Sequence, residues 1–159
     1  VIAEDLGLIT PTVRKLVKDS GYPNMKVLGF AFDVDGKSEY LPHNYDKNCV
    51  VYTGTHDNET LMQWYDGLTK KELAFVTDYM NNARTPHEEI HWDFIRLAML
   101  STADTCIIPM QDYLALGAEA RMNFPSTLGN NWKWRLSSKM LTKKLAKEIL
   151  HLTRLSCRL

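Results

Sequence analysis

The chain has 159 residues, 45% of them hydrophobic and 24% charged, and its 19 lysines and arginines balance 19 aspartates and glutamates. That length can bury one core but falls well short of the roughly 250 residues of a complete eight-stranded (β/α) barrel. Zero net charge leaves no electrostatic footprint for nucleic acid or an anionic membrane surface, and no apolar run approaches the ~20 residues of a membrane span.

Four apolar runs set the rhythm, each ending in a carboxylate: Val1-Ile2-Ala3-Glu4, Val27-Leu28-Gly29-Phe30-Ala31-Phe32-Asp33, Val50-Val51-Tyr52-Thr53-Gly54-Thr55-His56-Asp57 and Cys106-Ile107-Ile108-Pro109-Met110-Gln111-Asp112. Strand-like character begins near Val1, Met25, Cys49 and Thr105, with helical patterns in the intervals. That alternation predicts an α/β fold of βα units with a mostly parallel sheet and right-handed crossovers. The sequence starts inside an apolar run, so it reads as an excerpt, the C-terminal part of a longer barrel. Glu4 and Asp5 do not fit the apolar core of a signal peptide.

After the first run, Thr10 and Pro11 give an N-cap and an N1 proline, and Gly21-Tyr22-Pro23 stops that helix. Residues 33–48 are polar, contain Gly36 and Pro42, and predict a long loop over the C-terminal face of the sheet. Thr69-Lys70-Lys71-Glu72 and Thr85-Pro86-His87-Glu88 both have the form of capping boxes. The second opens a helix with Ile90, Phe94, Leu97, Ala98 and Ser101 on one face. Residues 117–134 read as irregular, and a last helix over 138–156 presents Leu141, Leu145, Ile149 and Leu152 on one side and lysines elsewhere. Cys49, Cys106 and Cys157 are odd in number and read as packing thiols of a reducing, cytoplasmic compartment.

One strand that stops at an acid shows only turn chemistry; four in series predict a shared polar rim, where a barrel does its chemistry. Cleavage or transfer of a glycosidic bond needs two carboxylates on opposite sides of the scissile bond. Glu4 and Asp57 suit those roles, the alternative being two turn-forming acids; His56 beside Asp57 adds a donor for a sugar hydroxyl. A neutral, polyhydroxylated substrate fits the neutral chain.

His87-Glu88-Glu89-Ile90-His91 matches H-E-x-x-H, which on a helix binds zinc. Here Glu88 is already needed in the capping box and no third histidine motif follows, so an exposed first helical turn is the preferred reading. Trp132-Lys133-Trp134-Arg135 offers aromatic faces for sugar rings, although two tryptophans covering the barrel end account for it more simply. Neither a P-loop nor a G-x-G-x-x-G fingerprint supports nucleotide binding.

Together, Ile2-Ala3-Glu4-Asp5-Leu6-Gly7, Pro23-Asn24-Met25-Lys26-Val27-Leu28, Leu41-Pro42-His43-Asn44-Tyr45, Thr53-Gly54-Thr55-His56-Asp57-Asn58, Ala120-Arg121-Met122-Asn123 and Asn131-Trp132-Lys133-Trp134-Arg135 resemble the C-terminal half of the 4-α-glucanotransferases, the amylomaltases or disproportionating enzymes. The blocks run in order across nearly the whole chain. The resemblance implies a retaining enzyme of the α-amylase clan on a (β/α)₈ barrel, which moves an α-1,4-glucan segment onto the 4-hydroxyl of an acceptor and uses neither cofactor nor metal. Residues 1–159 would be a partial catalytic domain, strands five to eight, whose partners are α-1,4-glucans, malto-oligosaccharides and the missing N-terminal half. Glu4 maps onto the general acid/base, Asp57 onto the transition-state-stabilising carboxylate and His56 onto a sugar-binding histidine; Asp33 and Asn123 fall where the family contacts glucan hydroxyls. The nucleophile, an Asp after the fourth strand, would lie upstream, so the chain alone is expected to be inactive. Asn123-Phe124-Pro125-Ser126-Thr127 departs from the commoner Asn-Thr-Pro-Gly-Thr and bears on loop geometry. The other readings are a non-catalytic glucan-binding or interaction remnant and, distantly, a zinc hydrolase using His87 and His91.

Overall fold

Three short strands, β1 (Asn24–Val27), β2 (Cys49–Tyr52) and β3 (Thr105–Ile107), pair in parallel in chain order. The computed structural model describes residues 1–33 and 37–159, so Gly36, one support of the loop reading, lies outside it. Cys49 stands opposite Asn24, and Val51 opposite Cys106. β2 lies between both neighbours with Cys49, Val50 and Val51 all buried, the continuous apolar run of a strand covered on both faces.

The described residues also form six α-helices: α1 (Pro11–Ser20), α2 (Leu61–Asp66), α3 (Lys70–Met80), α4 (Ile90–Met99), α5 (Met110–Tyr113) and α6 (Lys143–Leu155). α2, α3 and α4 fill the crossover from β2 to β3. Among the described residues, the crossover from β1 to β2 contains only the 3₁₀ turns Leu28–Phe30 and Pro42–Asn44. Its loop is not simply a polar surface: Leu41 and Tyr45 are buried in the core.

Local chemistry explains most of the boundaries. The Thr10 side chain accepts the Val13 N–H at 3.4 Å, Pro11 occupies the first turn, and Gly21 ends α1 at φ 68°, a left-handed conformation open to glycine. At α3 the capping box is complete: Thr69 Oγ1 accepts from Glu72 N at 3.3 Å, and a Glu72 oxygen accepts from Thr69 N at 2.8 Å.

Four expectations need correction. Residues 1–4 form no strand; a single bond, Ala3 N–H to the Pro23 carbonyl at 2.9 Å, joins them to the sheet edge. A strand exists only through its ladder, and the Asp5 carboxylate takes the Met25 N–H at 2.9 Å that a paired strand would have used. The Thr85 capping box is absent because Pro86, at ψ 146°, becomes the N-cap of the 3₁₀ turn His87–Glu89 and has no side-chain acceptor. The final helix is broken: Ser138–Met140 is a 3₁₀ turn, Leu141 is exposed, and α6 starts afresh where Thr142 accepts from Leu145 N at 3.1 Å. The fourth apolar run ends in helix α5, so Asp112 is a helical residue and not a strand-end acid.

The core sits between the sheet and α4. Phe94, fully buried, meets the rings of Phe32, Trp64 and Tyr65 at centroid distances of 5.7, 5.3 and 5.9 Å, edge-on in each case. Such packing adds ~0.5–1.5 kcal/mol per pair to the burial of the rings themselves. At the β1 edge of the sheet Glu39 joins three segments, meeting the Arg14 guanidinium at 2.8 and 3.1 Å and the Lys26 ammonium at 2.9 Å. The bond from Arg14, with help from Lys26, holds the Glu39 carboxyl down at about 2. No helix among the described residues is long and apolar enough to cross a membrane.

Candidate active site

β2 delivers the chain into a loop, residues 54–60, over the C-terminal end of the sheet. The Asn58 side-chain oxygen accepts from Thr55 N–H and from the Thr55 hydroxyl, both at 2.8 Å, which winds the loop into a tight turn. A Cβ on Gly54 would stand 3.3 Å from the Glu59 carbonyl oxygen, so this close approach favours glycine. The loop's two ends meet at one buried group: Asp112 accepts from the Thr53 hydroxyl and, at 2.8 Å, from Leu61 N–H, the first residue of α2. Burial pushes the Asp112 carboxyl up to about 6, against the pull of those two bonds.

His56 and Asp57, both exposed, project from this turn into a cleft of about 730 Å³ that Glu4, Tyr52, Ile107 and Pro109 also line. Glu4 is exposed and accepts the Leu6 N–H at 3.2 Å, an interaction that orients its carboxylate without burying it. The segment after α5 closes round Asp57. Asn123 Nδ2 donates to Asp57 Oδ1 at 2.6 Å, and His56 Nε2 lies 3.4 Å from that same oxygen. Arg121 donates to the Asp57 carbonyl at 3.1 Å and to the Asn123 carbonyl at 3.0 Å, lies 3.5 Å from Glu59, and stacks over Phe124 at 4.3 Å.

The structure therefore brings four of the five predicted residues together. Glu4, His56 and Asp57 share the cleft and Asn123 is bonded to Asp57; Asp33 is exposed and does not line that cleft. Two tying residues were not singled out from the sequence, Arg121 and Asp112. Arg121 lies in the Ala120-Arg121-Met122-Asn123 block, and the signal for Asp112 is an acid closing an apolar run. Trp132 also departs from the reading of a buried cover. It is 50% exposed, its backbone is left-handed at φ 64°, and its ring lies 4.9 Å from that of His56. A free aromatic face beside the cleft suits the apolar side of a sugar ring.

The H-E-x-x-H residues do not converge. His87, in the 3₁₀ turn, is held at 2.6 Å by Asp66, whereas His91 lies buried on α4, where desolvation lowers its pKa. Among the described residues no group of three or more His, Cys, Asp or Glu is placed to hold a metal ion.

A parallel α/β sheet whose strand ends open onto a carboxylate-bearing cleft is the layout of part of a (β/α) barrel. Residues 1–142 match the family described as 4-alpha-glucanotransferase, and the chain belongs to that family. It is 46% identical over 156 residues to a 4-alpha-glucanotransferase of Clostridium butyricum, covering 98% of this chain and 32% of that protein. A chloroplastic/amyloplastic 4-alpha-glucanotransferase of Arabidopsis thaliana is 49% identical over 138 residues, 87% of this chain and 24% of the relative. An amylomaltase from Streptococcus agalactiae, solved in complex with acarbose, superposes with a TM-score of 0.92 at 38% identity, over 98% of this chain and 31% of that one. The chain thus spans a third or less of the length of these relatives.

Proposed function

We propose that this chain is the acid/base-bearing part of a 4-α-glucanotransferase, the C-terminal half (strands five to eight) of a (β/α)₈ barrel, working within a longer polypeptide that also supplies the nucleophile. The observation that carries the reading is the shared cleft of Glu4 and Asp57, with Asp57 fixed by Asn123 and flanked by His56. Family membership and the acarbose-bound relative support an α-1,4-glucan or malto-oligosaccharide as the ligand.

Glu4 protonates the leaving glucosyl oxygen while an upstream Asp attacks the anomeric carbon and forms a covalent glucosyl enzyme. The same Glu4 then removes the proton from the incoming 4-hydroxyl, whose oxygen displaces the enzyme carboxylate. Glu4 suits this double duty because it is solvent-accessible and held only by one backbone N–H. Asp57 stabilises the cation-like sugar between those steps, and its bond from Asn123 fixes one carboxylate oxygen. In this reading Asn123 and Asp33 also contact glucan hydroxyls. Three free cysteines, two with thiols pushed up to about 11 by burial, suit a reducing compartment such as the cytoplasm.

The test is Glu4→Gln in the polypeptide completed to the length of its relatives. Transfer between malto-oligosaccharides is expected to fall by about 10²–10⁴ while glucan binding is kept. Unimpaired turnover would remove Glu4 from its role.

A further inference from the structure

Asp112 is the one buried acid among the described residues, 2% exposed, and it does not line the cleft that holds Glu4 and Asp57. A carboxylate withdrawn from water is costly unless its oxygens are used, and both of its oxygens are. Each goes to a different end of the same loop: Oδ2 to the Thr53 hydroxyl, where β2 ends, and Oδ1 to the Leu61 N–H, where α2 begins. Leu61 N–H is one of the unpaired donors of that helix end; Thr60 serves another, Gln63 N–H, at 3.3 Å. Next to Asp112 on α5, Gln111 donates to the Ala120 carbonyl at 3.4 Å, at the entrance to the segment carrying Arg121 and Asn123. One short helix thus anchors both walls whose meeting point is the bond between Asn123 and Asp57.

We propose that Asp112 is a positioning residue of the transferase site: by bridging Thr53 and Leu61 it fixes the span of loop 54–60 and so sets where His56 and Asp57 stand against the sugar. This rests on the catalytic reading of Glu4 and Asp57. It goes beyond that reading by assigning the site's precision to a group that touches no substrate. The hydrogen-bond budget of the loop explains the dependence. Asn58 and Thr55 tie its interior, and among the described residues the Asp112 carboxylate alone joins its two ends through a side chain. Releasing either arm lets the turn shift as a body. A displacement of about 1 Å at a reacting centre costs of the order of a hundredfold in rate.

The experiment uses the completed polypeptide and reads kcat, KM for a malto-oligosaccharide and the thermal midpoint together. Thr53→Val keeps the side chain's shape and removes one donor; kcat is expected to fall roughly ten- to a hundredfold with the fold retained, and Thr53→Ser, which restores the hydroxyl, to lie within about threefold of the parent. Asp112→Ala removes both arms and should lose at least as much. Asp112→Asn, able to accept from Leu61 and donate to Thr53, should recover most of that loss. If Asp112→Ala does not fold, the Val and Ser pair at Thr53 decides alone. Parent-like kcat in Thr53→Val, or equal losses in the Val and Ser variants, overturns the positioning role. Glu4→Gln run alongside separates the two failures: turnover retained there removes the catalytic reading, whereas turnover lost there with Thr53→Val unaffected removes only the bridge.

Discussion

The two sides of the sheet are held together by different forces. On the α4 side, Phe94 fits among Phe32, Trp64 and Tyr65 with no exposed surface, and the contacts are apolar and non-directional. Over the strand ends, exposed residues are held by single directed bonds, Asn123 and Arg121 to Asp57 and Leu6 N–H to Glu4. Apolar contacts carry little angular dependence, whereas a hydrogen bond weakens steeply as its angle closes. Stability and chemistry are therefore separable in this molecule, and substitutions on the two sides should report on different observables.

The largest expected effect tests the packed side. Phe94→Ala removes a ring from a fully buried position and should cost about 3–5 kcal/mol of stability, seen as a lowered denaturation midpoint. Activity per folded molecule of the completed polypeptide should stay near the parent's, because Phe94 does not line the cleft. A selective loss of kcat with unchanged stability would break the division. The second test is on the polar side. In the completed polypeptide Asn123→Ala frees Asp57 Oδ1 from its 2.6 Å donor and should lower kcat about tenfold, ~1.4 kcal/mol of barrier, with little change in the denaturation midpoint. Equal falls in stability and activity would mean that Asn123 holds up the fold and does not tune the carboxylate.

The same division decides what could be read from the sequence. Elements governed by local chemistry were legible: the Thr10 and Thr69 caps, the buried middle of β2, and the face of α4 that carries Ile90, Phe94 and Ala98. Elements governed by partners were not. Residues 1–4 have strand composition but find only one ladder bond, and the Thr85 box fails because the intervening Pro86 adopts an extended ψ. In the site, Glu4, His56 and Asp57, singled out from motif blocks, line a common cleft. Spacing along the chain carries no record of the bridges that assemble it: Asp112 reaches back 59 positions to Thr53, and Asn123 reaches back 66 to Asp57. Asp33, by contrast, ends a run much like the others yet stands outside that cleft, since its strand stops at Val27 and the chain turns through Leu28–Phe30 before reaching it.

The smallest effect belongs to the ion-paired junction of α1, β1 and the segment after residue 37, which is polar like the site but does not line the cleft. Glu39 is bonded there to Arg14 and Lys26, and its carboxyl is held at about 2 against an ordinary 4.5. A depressed carboxyl stabilises the fold fully above pH 4.5, and that contribution is lost as pH falls from there toward 2. Glu39 is 41% exposed and Arg14 55% exposed, so solvent screening leaves the arm between them little weight in stability. The Lys26 side chain is only 8% exposed, and an ammonium buried there without a counter-charge is costly. Glu39→Gln should accordingly destabilise more than Arg14→Gln at pH 7, and its difference from the parent should shrink on acidification and vanish near pH 2. If the two variants are equally mild at pH 7, Lys26 is finding water or another partner, and the junction is a surface ion pair. If Glu39→Gln in the completed polypeptide lowers the denaturation midpoint while leaving kcat unchanged, a charged, directed network serves stability, and whether a residue lines the cleft then matters more than its polarity in deciding which observable it controls.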